Sequence, residues 1–147
     1  MTIFNEVATL EDLVYAASTV DCEGCVTITK RYRDINNPYY GLKVTISNTK
    51  RALIDWLYDT FGGNTHEKYN GPGRKLLYTW QIHGEAAADF LSDVLPYMKL
   101  KNEQAEVGIE LVGLGSSVDV EIRQLLKGRI NKLNTRGIEI REEHSNA

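Results

Sequence analysis

Leu10, Leu13, Val14, Ala17 and Val20 recur at the three-to-four-residue spacing of one helix face. Thr9 precedes them as an N-cap, with Asp12 three residues on, so the pattern predicts a helix from about Leu10 to Cys22. Gly24 is the residue expected to end it. The period then changes to two. Val26, Ile28 and Tyr32 alternate with Thr27, Thr29, Arg31 and Arg33, which predicts a strand over 25–33 with one covered face. A turn at 34–38, rich in Asn and Pro, leads to a second strand over 39–47. There Leu42, Val44 and Ile46 face in, and Gly41, Lys43 and Thr45 face out.

Asn48 or Thr49 then caps a helix through Phe61, whose apolar face is Leu53, Ile54, Leu57, Tyr58 and Phe61, and Gly62-Gly63 stops it. A second hairpin is predicted from Asn64 to Tyr69 and from Lys75 to His83, around the turn Asn70-Gly71-Pro72-Gly73. Helices follow over 85–97 (interrupted at Pro96), 102–114 and 118–133, with a polar, loose tail expected over 138–147. The order is helix, hairpin, helix, hairpin, then helices. Two antiparallel hairpins with helices on one face make an α+β domain. The expected organisation is one domain over 1–137 followed by the tail.

Composition narrows the class. No apolar run approaches the ~20 residues that span a membrane. The first residues lack the basic-then-apolar order of a secretory signal, so a cytoplasmic (nucleoid-associated) or organellar location is expected rather than secretion. Two cysteines, Cys22 and Cys25, argue against a disulfide scaffold. Their C-x-x-C spacing does not make a zinc site, because His66, His83 and His144 offer no matching pair of further ligands. Core packing is the expected role of both. Net charge is −3, which counts against a nucleic-acid binder. Distribution matters more than the sum. Between Gly24 and Arg51 lie Lys30, Arg31, Arg33, Lys43, Lys50 and Arg51, opposed by Asp34 alone. This block reads either as a solvated pair of strands or as one positive face on an acidic protein.

The stretch from Ala16 to Gly24, A-A-S-T-V-D-C-E-G, fills a helix with small residues and delivers two acids at its end. It resembles the LAGLIDADG motif of homing endonucleases in a D-x-E-G variant. Ala16, Ser18 and Cys22 replace the usual Leu, Gly and Ala or Gly, and all are still small. The resemblance extends over about Leu10 to Leu111. Phe61-Gly62-Gly63 ends the second helix as in the family, Trp80-Gln81-Ile82 lies in the fourth strand, and the segment from Pro96 through Lys101 to Gln104-Ala105 is similar to a P-x-x-x-x-K-x-x-Q-A segment.

The resemblance implies an αββαββα domain with an antiparallel, saddle-shaped sheet and C-terminal helices. One copy of the motif implies a homodimer whose motif helices pack through Ala17, Ser18, Asp21 and Cys22. It implies a metal-dependent endonuclease that makes a staggered break in double-stranded DNA at a long, partly palindromic site. Glu23 would bind Mg²⁺ or Mn²⁺ and act as the catalytic acid, Asn48 would orient water, and Lys101 would stand near the scissile phosphate, with Lys50 or Arg51 a weaker candidate. Asp21 would stabilise the helix ends. Strand parity then nominates Thr27, Thr29, Arg31, Arg33, Tyr39, Lys43, Thr45, Thr65, Glu67, Tyr69 and Thr79 for the DNA major groove. The alternative is a non-cutting nucleic-acid-binding protein on the same fold, either an RNA splicing cofactor or a DNA-binding regulator. Glu23 favours cutting, because a pure binder has no need of that acid.

Overall fold

The computed structural model of the protein describes residues 8–145 apart from Ile35 and residues 116–118, with side chains described except at Asn37 and 136–145. Helix α1 spans Leu10–Glu23. Its start is a capping box: Asp12 N–H donates to Thr9 Oγ1 (3.1 Å) and Thr9 N–H to Asp12 Oδ2 (3.0 Å). The Thr9 N–H also holds the Asp12 carboxyl below its ordinary pKa. Strands β1 (Gly24–Asp34) and β2 (Asn37–Asn48) follow, then α2 (Arg51–Phe61), β3 (Asn64–Lys68) and β4 (Leu77–His83). The chain continues through α3 (Gly84–Val94), a 3₁₀ turn (Leu95–Tyr97), α4 (Asn102–Leu114) and α5 (Val120–Ser145).

Gly24 ends α1 with φ −90°, an ordinary extended value rather than a left-handed one. The glycine is needed for closeness instead, since a Cβ there would lie 2.8 Å from Val20 Cα and from Val20 O. Pro96 produces the 3₁₀ turn that separates α3 from the segment before α4, because it cannot donate a helical hydrogen bond. The backbone of α5 is helical to Ser145, beyond the expected end at Leu133. The expected start of that helix at Val118, and the side chains of the 138–147 tail, lie outside the described residues.

The four strands form one antiparallel sheet in the order β1-β2-β4-β3. Val26, Ile28, Leu42, Val44, Ile46, Trp80 and Ile82 point to one face and are buried there with residues of all five helices. Aromatic edges lead from the exposed Tyr15 into this core. Tyr15 meets Trp56, Trp56 meets Phe61, and Phe61 and Trp80 both pack on Phe90, with ring centroids 4.9–5.8 Å apart. Trp80 Nε1–H donates to Gly62 O at 2.6 Å, which satisfies the indole beneath the α2–β3 turn. The outer end of the hairpin is braced by α5. There Tyr40 O–H donates to Gln124 Oε1 (2.6 Å), and the Arg123 guanidinium lies over the Tyr40 ring.

With every helix on one side, the opposite sheet face is left open. Among the described residues, no helix is long and apolar enough to cross a membrane. Phe90 is fully buried at the junction of two edge-to-face pairs, so Phe90→Ala is expected to cost about 3–5 kcal/mol in a urea-unfolding titration.

Candidate nucleic-acid interface and active site

Asp21 and Glu23 are two residues apart at the end of α1, which sends them to different sides of the helix. Asp21 turns inward and is 8 % exposed. Its carboxylate accepts from Lys99 N–H (Oδ2, 2.7 Å) and Lys101 N–H (Oδ1, 3.0 Å), so one buried acid fastens the segment before α4 to the end of α1. That segment carries Lys101, whose ammonium donates to Gly24 O, one residue past Glu23.

Glu23 is exposed. Its Oε2 accepts from Asn48 Nδ2–H at 2.9 Å, while Asn48 Oδ1 accepts from Lys50 N–H at 2.8 Å. Asn48 must therefore donate and accept at once, which an amide does and a carboxylate does not. Its expected place as N-cap of α2 is taken by Lys50, which makes no side-chain cap. Glu23 and Asn48 line an open hollow of about 340 Å³ together with Ser18, Cys22 and Lys50. Arg51 points elsewhere and pairs with Asp55 at 3.4 Å.

The open sheet face is set by register. Cys25↔Thr45, Thr27↔Lys43, Thr29↔Gly41 and Arg31↔Tyr39 pair across β1 and β2, and Lys43↔His83, Thr45↔Gln81 and Ser47↔Thr79 across β2 and β4. Thr27, Thr29, Arg31, Tyr39, Lys43 and Thr45 thus share one face. Arg33 lies in the irregular step between Tyr32 and Asp34, with its guanidinium over the Tyr39 ring.

No family model matches the chain, and no curated protein matches it in sequence. Solved structures do match. The homing endonuclease I-CvuI in complex with its target shares 19 % identity at a TM-score of 0.73, covering 84 % of this chain and 82 % of that one. The archaeal intron-encoded homing endonuclease I-Vdi141I complexed with DNA shares 15 % at 0.70, covering 84 % of both chains. The LAGLIDADG homing endonuclease I-LtrWI bound to target DNA shares 10 % at 0.60, and 42 % of its length is covered. The chain has the LAGLIDADG homing-endonuclease fold.

Within this fold several expected positions move. Thr65 and Glu67 pair with Trp80 and Tyr78, on the side of the sheet that Trp80 packs toward, so Asn64, His66 and Lys68 take the open face instead. The all-polar run Asn64–Lys68 holds no alternation from which to read parity, and its register against β4 decides it. Tyr69 lies beyond the end of β3. Thr79 has the expected parity but is 6 % exposed, with its hydroxyl 2.8 Å from that of Ser47. Gln81 and His83 are on the open face and were missed, although inward Trp80 and Ile82 imply them by alternation.

On α1, Ala17 and Asp21 are buried within the protomer, so they do not offer an interface. Ser18 and Cys22 are exposed and continue a stripe with Leu10 and Val14 at four-residue spacing. Both cysteines are exposed rather than in the core. Among the described residues, no group of three or more His, Cys, Asp or Glu is placed to hold a metal.

Asp21→Ala would leave the Lys99 and Lys101 N–H groups without their acceptor. It is expected to lower unfolding free energy by about 2–4 kcal/mol in a denaturant titration.

Proposed function

We propose that the protein is a sequence-specific DNA endonuclease that works as a homodimer and makes a divalent-metal-dependent, staggered double-strand break at a long, partly palindromic site. The observation that carries this reading is the grouping of Glu23, Asn48 and Lys101 where α1 meets β1 and β2, at the border of an open sheet face bearing Arg31, Lys43 and Tyr39. The DNA-bound state of I-CvuI and I-Vdi141I, which share this fold, supports double-stranded DNA as partner. A two-stranded ribbon fits the major groove of B-DNA, and Arg and Lys read guanine edges there.

The residues divide the work. Exposed Glu23 supplies a hard carboxylate oxygen, and Asn48 holds that carboxylate in one orientation while its own amide is fixed by Lys50 N–H. Lys101 places a positive charge beside the chain exit from α1, where it would face a phosphate. A single carboxylate from each protomer suits Mg²⁺, which is commonly held by one or two carboxylates with phosphate oxygens and water. Once bound, Mg²⁺ or Mn²⁺ lowers the pKa of water and offsets charge on the phosphate.

A second protomer is part of the proposal because two strands need two such sites. The stripe Leu10, Val14, Ser18 and Cys22 is the α1 face available to a two-fold partner. Ser18 and Cys22 are small enough to let two helices approach closely, and Glu23 follows directly at its end.

The test begins by selecting bound duplexes from a randomised library, then incubates them with Mg²⁺ or Mn²⁺. Cleavage on both strands is expected, lost on chelation. Glu23→Gln is expected to keep the selected affinity and lose at least about 10²-fold in cleavage rate. Tight, selective binding without cleavage in any divalent metal would sink the nuclease reading and leave a DNA-binding regulator. Ser18→Arg puts a long charged side chain into the close-packed stripe, and it is expected to shift the protein from dimer to monomer in sedimentation.

A further inference from the structure

The open sheet face contains a hollow of roughly 510 Å³, lined by Thr29, Arg31, Tyr39, Gln81 and His83 with Gly41 in β2 as part of its wall. Gly41 keeps the hollow wide. A Cβ there would lie 3.2 Å from Tyr39 Cε1 and 3.5 Å from Thr29 Oγ1. His83 enters this hollow as the last residue of β4, directly across from Lys43, with Arg31 on the next strand over. The charged and titratable groups around it are Arg31 from β1 and Lys43 and Tyr39 from β2, and Glu85 follows two residues on in the first turn of α3. Gln81, two residues back on its own strand, is engaged with His66 Nδ1 at 3.1 Å.

We propose that His83 is a further DNA-contacting residue, and that it takes up a proton as a hydrogen-bond acceptor of the duplex enters this hollow. The inference rests on the DNA-binding reading above and adds to it a residue and a proton. Its physical basis is the sign of the surroundings. In the free protein, partial burial and then the positive charges of Lys43 and Arg31 hold the imidazole below the ordinary histidine range. A phosphate oxygen or the O6/N7 edge of guanine brings negative potential and an acceptor to the same place. Both favour the protonated ring, which donates from both nitrogens. The bound pKa therefore stands above the free one. The added affinity is fully present below the free value and is lost as pH rises through the bound value.

The experiment uses the full chain without divalent metal and the most enriched duplex from a randomised-library selection, with affinity measured between about pH 6 and pH 8. Affinity is expected to strengthen toward the acid end, by up to about tenfold per protomer for each unit separating the two pKa values. His83→Gln is expected to flatten this dependence, and His66→Gln to retain it. The His83 imidazole resonances are expected to titrate at higher pH in the complex than in the free protein. An equal pH dependence in wild type and His83→Gln, or an unchanged His83 midpoint on binding, overturns the proposal while leaving the endonuclease reading intact. Failure to select any duplex overturns that reading first. Repeating the selection with His83→Gln separates the two acceptors: a base-edge contact relaxes preference at one position, and a phosphate contact weakens all duplexes alike. Either result supports the proposal.

Discussion

The hydrogen bonds from Lys99 and Lys101 to the Asp21 carboxylate hold the working part of the molecule together. A buried carboxylate needs compensating donors, and here the backbone of a distant segment supplies them. The result is a fixed distance between the end of α1 and the start of α4, elements about 80 residues apart in the chain. Glu23 leaves α1 on the other side, and Lys101 is brought to the Gly24 carbonyl next to it. Removing the Asp21 carboxylate would therefore disturb the spacing of the proposed catalytic groups.

Small residues make that junction possible. Ala16 and Ala17 are fully buried, and Gly24 approaches Val20 more closely than any Cβ permits. The helix thus seats tightly on the sheet and hands the chain directly into β1. Its outer stripe, from Leu10 to Cys22, is left for a second copy in the proposed dimer. One helix serves both packing problems because its faces carry different residues: Ala16, Ala17, Val20 and Asp21 inward, Leu10, Val14, Ser18 and Cys22 outward.

The open sheet face follows from the placement of the helices. One core cluster gathers residues of all five helices on the side of Val26, Ile28, Val44 and Ile46, and Trp80 and Phe61 pack on Phe90 within it. Thr, Lys, Arg, Gln and His are left to the other side, and this local accumulation of positive charge exists on a protein of net charge −3. Cation–π contacts stiffen the far end of the hairpin, where Lys30 lies near the rings of Tyr32 and Tyr40 and Arg33 near Tyr39. The ribbon that extends beyond the four-stranded sheet is thereby held in shape without a covering helix on its outward side.

Where the side-chain period was strong, the sequence alone was enough. The alternation in β1 and β2 determined which of Thr27, Arg31, Lys43 and Ile28 face which way, and the spacing from Leu10 to Val20 determined the first helix. The A-A-S-T-V-D-C-E-G stretch carried the likeness to the LAGLIDADG fold. Long-range pairing decided the rest. β3 is polar throughout, so only its register against Trp80 and Thr79 put His66 rather than Thr65 on the open face. That Asp21 grips Lys99 and Lys101, that Asn48 answers Glu23 across 25 residues, and that His83 shares a hollow with Arg31 are contacts between distant segments. Local pattern encodes the direction of a side chain from its own strand or helix, but the partner waiting there is decided by how the elements pack.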